Sequence, residues 1–167
     1  MPDHARRCAR SDRPYLNEFA AMDMDERWVN RSPEVMLETF HWFRGECFGQ
    51  IVEDLLSFPA GPGVIVEGFR LLPHVVGPLL TRPEQAVWLL PAPAFRVAAF
   101  GSRGSLRAIA GQTGNPDKAL ANLLERDRLF TERLEREAID LGLRVIEVGV
   151  QLTEDALAGQ VAEALEI

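Results

Sequence analysis

The run Val64-Ile65-Val66-Glu67-Gly68 decides how this chain is read. Three consecutive β-branched residues lie between Pro59-Ala60-Gly61-Pro62-Gly63 and Glu67-Gly68. A half-exposed strand would alternate apolar and polar side chains, so an unbroken run predicts a short strand buried on both faces, as in a parallel sheet. Two further runs share that texture. Gln85-Ala86-Val87-Trp88-Leu89-Leu90, ended by Pro91, and Leu143-Arg144-Val145-Ile146-Glu147-Val148, preceded by Gly142, are expected to be the second and third strands. Helical patterns separate them: about Phe69 to Leu80, Ala94 to about Arg103 behind Pro93, and a long helix from Pro116-Asp117 to about Leu141. Thr153-Glu154-Asp155 caps a last helix to about Leu165. Strands alternating with helices predict an α/β fold with parallel strands.

Upstream of the deciding run the signals are helical or irregular. Ser32-Pro33-Glu34 is a helix start: serine as N-cap, proline where its missing N–H costs nothing, and an acid facing the helix dipole. That helix is expected to stop at Gly45, and a second to run from Cys47 to Ser57. His41-Trp42-Phe43 is expected to be core. Residues 1–31 are charged and weakly periodic, an irregular approach segment with no more than one short helix near Met22-Trp28. Residues 104–115 carry three glycines and the turn signal Thr113-Gly114-Asn115, and are expected to be a glycine-rich excursion. No repeat or linker divides the chain, so residues 1–167 are expected to be one domain.

Composition narrows the function classes. With 167 residues, 47% hydrophobic and 26% charged, the chain has room for a true core. Net charge is -7 and the basic residues are dispersed, so neither nucleic acid nor an anionic membrane is an expected partner. Cys8 and Cys47 are too few for a disulfide framework, and His4, His41 and His74 do not have the spacing of a zinc site, so no metal centre is expected. No apolar run follows the charged N-terminus, and the longest apolar stretches are cut by Pro91, Pro93 and Arg96; the expectation is a cytoplasmic protein without a membrane span. Of the 18 basic residues only Lys118 is a lysine.

The order of parts then suggests a family. A strand ending Glu67-Gly68, a helix, a strand, a helix with spaced arginines from Ala94 to Gly104, a glycine-bearing excursion, a long helix carrying Arg126-Asp127-Arg128, a strand and a terminal helix resemble the back two-thirds of P-loop kinases of the nucleoside- and nucleotide-kinase-like type. The resemblance covers about residues 32–167. It implies a three-layer parallel-sheet core with a helical lid over about residues 94–140, Mg-ATP as cofactor, and phosphoryl transfer to a small-molecule acceptor. The strand and Gly-x-x-x-x-Gly-Lys-Ser/Thr loop that open such kinases are absent. Gly61-Pro62-Gly63 precedes a strand instead of following one, and Gly111 to Lys118 has the wrong glycine spacing. The expectation is therefore an N-terminally truncated core: weak or no ATP binding by this chain, and activity only if residues upstream of Met1 supply the loop.

Within that resemblance Glu67 stands where a strand ends toward ligand, either holding magnesium through water or taking a proton from an acceptor hydroxyl, or else simply solvated. Arg96 and Arg103, seven apart, share a helix face and either reach a transferring phosphoryl group or form an ordinary exposed face. Glu67, Arg96 and Arg103 are the candidate catalytic residues. On the long helix Leu120, Leu123, Leu124, Phe130, Leu134, Ala138 and Leu141 form an apolar stripe with Asp127 inside it. A buried carboxylate needs a counter-charge, so Asp127 is read as structural-electrostatic, paired to a lid or strand-end arginine, unless that turn is locally wet. Arg126 and Arg128 flank the stripe on opposite sides, one of them at most facing a bound nucleotide. The rival reading is a non-catalytic binding or assembly module, which pairs an exposed sheet edge with a second copy or another protein.

Overall fold

The computed structural model describes residues 2–59, 61 and 63–167, without the side chains of Pro2, Phe100 and Arg103. The chain is about 64% helical, and the described residues hold a single two-stranded parallel sheet. The expected three-layer α/β core is not formed. In order come helices α1 (Pro2–Arg7), α2 (Pro14–Ala21), α3 (Met24–Trp28), α4 (Pro33–Thr39), α5 (Phe48–Leu56) and α6 (Pro73–Val76). Strand β1 (Val87–Pro91), helices α7 (Pro93–Arg103), α8 (Ser105–Ala110) and α9 (Pro116–Asp140), strand β2 (Arg144–Val148) and helix α10 (Glu154–Leu165) complete the fold.

Two of the three expected strands exist and pair in parallel, Val87 opposite Arg144 and Pro91 opposite Val148. The connection between them runs through three helices, the long crossover that a parallel pair requires. Helix α9 ends at Gly142, whose φ of 67° is open to glycine. There the Leu143 N–H donates to the Ala138 carbonyl at 2.8 Å and the Gly142 N–H to that of Ile139 at 3.0 Å, a Schellman turn that delivers the chain into β2. Trp88, Leu90 and Val145 pack on Phe130 and Leu134 of α9, while the Arg144 guanidinium reaches the Ala164 carbonyl at the end of α10 at 2.8 Å. The sheet thus lies between α9 and α10.

The third expected strand, Val64-Ile65-Val66, is not one. Residues 63–68 have no regular structure, and the chain meets the sheet only further on, where Trp88 Nε1 donates to the Leu71 carbonyl at 2.9 Å and Leu72 is buried. β-Branched composition says only that a run suits a pleated, covered surface; whether one is offered depends on the neighbours.

Helix starts follow the local chemistry closely. Ser32 accepts from the Val35 N–H at 3.3 Å ahead of Pro33, Asn115 from that of Lys118 at 3.1 Å ahead of Pro116, and Thr153 from that of Ala156 at 3.2 Å. The approach segment, in contrast, is organised. Helices α1 to α3 fold back on the body, and Trp28 and Val29 join Met36, Leu106, Ala110, Ala119 and Leu123 in one core cluster. The glycine-rich excursion contains α8, which buries Leu106 and Ala110 in the core cluster with α9. Its turn is held by the Gly114 N–H, which donates to Asp25 Oδ1 of α3 at 2.6 Å. A side chain at Gly114 would meet that carboxylate, its Cβ 2.7 Å from Oδ2.

Candidate functional site

The residues singled out in the sequence do not converge. Glu67 lies exposed in the irregular segment and makes no hydrogen bond or ion pair among the described residues. Arg96 is buried on α7, where its charge helps to hold the Glu125 carboxyl below the usual range. The larger cause of that depression is Arg128, whose guanidinium forks onto Glu125 with Nε–Oε2 2.8 Å and Nη2–Oε1 2.7 Å and also binds Glu132. These partners lie three and four residues away, the spacing that brings side chains together on a helix surface. The side chain of Arg103 lies outside the described residues.

Arg126 takes the place that Asp127 was expected to hold. The buried face of α9 runs through Ala119, Leu123, Arg126, Phe130, Leu134 and Ala138, so the stripe is rotated by one residue toward Arg126. The guanidinium carbon stands 5.2, 4.9 and 5.3 Å from the ring centres of Trp28, Phe40 and Phe43, an aromatic cage for a cation. Asp127 supplies the counter-charge from beside the stripe. Asp127 was expected to pair with an arginine from a lid or strand end; its ion-pair partner is the adjacent Arg126.

Two further polar residues are buried, His41 within the run expected to be core and Arg70 outside any expected one. His41 is 3% exposed among Phe19, Phe40 and Trp42, and desolvation, with repulsion from Arg70, pushes its imidazole down to about 4. Arg70 lies 4.2 Å over the Trp42 ring and donates to the Glu46 and Cys47 carbonyls at 3.3 and 3.1 Å. Its position just after an apolar run gave no sign of burial; only the meeting of α1, α5 and the 40–47 turn creates its acceptors. A shallow cavity of about 290 Å³ is lined by Phe43, Arg44, His74, Arg133 and Glu137. Its charges are already matched, His74 to Glu137 at 2.9 Å and both arginines to Glu38.

The surface feature without an internal explanation is the deciding run itself. Gly61 and residues 63–69 are all exposed, including Val64, Val66 and Phe69, with Ile65 at 84%. Leu56 and Phe58, at the end of α5, extend the apolar surface. Among the described residues, the backbone groups of residues 63–67 make no backbone hydrogen bond. Each strand of the sheet has one ladder partner only, and Leu89 of β1 is 45% exposed. A strand-like run without a ladder and a ladder without a third strand occur in the same chain. Such an arrangement suits strand addition, in which main-chain hydrogen bonds bind and alternate side chains select.

Among the described residues no group of three His, Cys, Asp or Glu side chains could hold a metal ion, and no helix is long and apolar enough to cross a membrane. Set beside family models, curated proteins and solved structures, the chain matches none of them.

Proposed function

We propose that this chain is a non-catalytic assembly module that pairs with a second copy of itself through residues 63–69. The carrying observation is the exposed, ladder-free run Val64-Ile65-Val66, whose sequence suits burial and whose surroundings in a single chain provide none. Each apolar side chain left in water forgoes about 1.5–3 kcal/mol of burial, and strand pairing recovers part of it together with the backbone bonds. A second copy is the preferred occupant because each chain holds both halves of the contact: the unpaired run and a sheet whose strands lack a further partner. Reciprocal exchange between two such chains closes on itself as a two-fold dimer. Phosphoryl transfer is the weaker reading, since Arg126 and Arg128 are both held by carboxylates of their own helix.

Sedimentation over a range of protein concentrations tests the proposal. The wild-type chain is expected to shift from 18.6 kDa toward twice that mass. Ile65→Lys, at a position with almost no internal packing, is expected to abolish the shift and leave the melting temperature unchanged. A wild-type chain that stays monomeric at every concentration, or an Ile65→Lys variant that associates as well as wild type, overturns it.

A further inference from the structure

The two cysteines, 39 positions apart in sequence, are brought to one place by the N-terminal helix. Both are free and buried, at 6% and 7% exposure. Cys8 continues the last turn of α1, its N–H donating to the His4 carbonyl at 2.9 Å, and Cys47 directly precedes α5. The docking of α1 sets them side by side. His4 Nε2 stands 2.8 Å from Asp54 Oδ2, Arg7 Nη1 donates to Asp54 Oδ1 at 2.6 Å, and Arg70 Nη1 meets His4 Nδ1 at 3.0 Å. His4 and Cys8 are four residues apart, hence on one face of α1, and that face meets Cys47.

Three details distinguish this pair from cysteines that merely fill a core. Arg70 bridges the two segments, donating to the Cys47 carbonyl at 3.1 Å and meeting His4, one helical turn before Cys8, at 3.0 Å. The residue at 47 has φ 60°, a left-handed backbone that only glycine takes without cost, so the fold holds this cysteine in an uncommon conformation. Both residues border an open groove of about 490 Å³, with Asp12, Glu46, Gly49 and Gln50 along its wall, so a small reagent can reach sulfurs that bulk solvent barely touches.

We infer that Cys8 and Cys47 form a reversible disulfide by exchange with a small disulfide of the glutathione type. Burial and the Cys8 sulfur push the Cys47 thiol up to about 12, which leaves Cys8 to make the first attack. The Cys8 thiolate forms a bond to one glutathione sulfur and expels the other as a thiolate. With Cys8 bonded to glutathione, its sulfur no longer adds to the burial that disfavours the Cys47 thiolate, and the Arg70 guanidinium favours that thiolate. The Cys47 thiolate attacks the Cys8 sulfur and expels the second glutathione. Two protein thiols are oxidised to one disulfide, one glutathione disulfide is reduced to two thiols, and the two cysteine protons pass to the released thiolates. The bond fastens α1 to the start of α5 and closes one wall of the groove.

Equilibrating the full chain in buffers of graded oxidised-to-reduced glutathione ratio tests this, with intact mass and free-thiol content as readouts. Wild type is expected to lose both thiols together with a fall of about 2 Da, to yield a crosslinked Cys8–Cys47 peptide on digestion, and to recover both thiols with dithiothreitol. The oxidised form is expected to melt several degrees higher than the reduced one. In denaturant the two sulfurs are no longer held together, so crosslinking is expected to need a more than ~10-fold more oxidising ratio. Cys47→Ser is expected to stop at a single glutathione adduct on Cys8. Two free thiols persisting in the folded chain at the most oxidising ratio, a doubly glutathionylated chain, or the same midpoint in native and denaturing buffer would each overturn the inference.

Discussion

The Asp127 carboxylate accepts two hydrogen bonds from its sequence neighbour Arg126, at 2.6 Å from Nη2 and 2.9 Å from Nε, both on Oδ1. Adjacent residues on a helix point about 100° apart, so the contact forms only because the long arginine side chain bends back toward the carboxylate. Trp28, Phe40 and Phe43 hold the guanidinium in that place by stacking around it, and Nη1 is left without a partner. The two side chains are 7% and 15% exposed, so the pair binds helix α9 to the N-terminal helices in a largely dry setting.

Removing the carboxylate is therefore expected to leave an uncompensated buried cation. Asp127→Asn should lower unfolding free energy by about 3 kcal/mol, measured by urea denaturation. Arg126→Met combined with Asp127→Asn should recover most of that loss, because an apolar side chain of similar length fills the aromatic cage without a charge. Equal losses in the single and double variants would show that shape rather than charge is at stake.

His41 makes stability depend on pH in a definite direction. Its folded-state value of about 4 lies below the ordinary 6.5, so the unfolded chain binds the proton more tightly. The contribution of His41 is complete above pH 6.5, declines as pH falls through the interval, and levels off below about 4. Across that window the loss amounts to about 3 kcal/mol. Subtracting the pH profile of His41→Phe from that of wild type isolates the effect from carboxylates such as Asp54 and Glu125, which their arginine partners hold below the usual range. Parallel profiles would mean that folding leaves the proton affinity of the imidazole unchanged.

Titration of magnesium-ATP into the chain is expected to give no saturable heat at sub-millimolar concentration. Arg128 is committed to Glu125 and Glu132 and Arg126 to Asp127, so neither is free to meet a triphosphate. A glycine-rich loop and its lysine, which would supply most of the grip, do not occur in the sequence. A micromolar dissociation constant would point to the stretch from Gly111 to Lys118, the one place where glycines and the lysine lie together.

Helix starts were readable because a cap is local chemistry. Ser32, Asn115 and Thr153 each accept from a backbone N–H three residues on, and nothing distant is needed to bring those atoms together. The stripe on α9 was legible as a period but not in its phase. Leu120 and Leu124 outweigh Ala119 by hydrophobicity, yet Ala119 faces the closely packed Trp28 and Met36 cluster with no exposure at all, and this turns the helix so that Arg126 is buried. Opposite charges beside one another in sequence carry no signal that one of them will be caged by three rings from distant elements.

The sequence by itself determined where α4, α9 and α10 begin, and that Val87–Pro91 and Arg144–Val148 are strands, because capping atoms, proline positions and apolar runs act within a few residues. It also carried the strand-like character of Val64-Ile65-Val66. Whether that run joins a sheet depended on a neighbour along the ladder, and within the described chain β1 pairs only with β2 while residues 63–67 lie apart from both. The same holds for Arg70, Arg126 and the two thiols. Their burial and partners come from segments many tens of residues away, and a pattern with a reach of one helical turn has no access to contacts that exist only once those segments have packed.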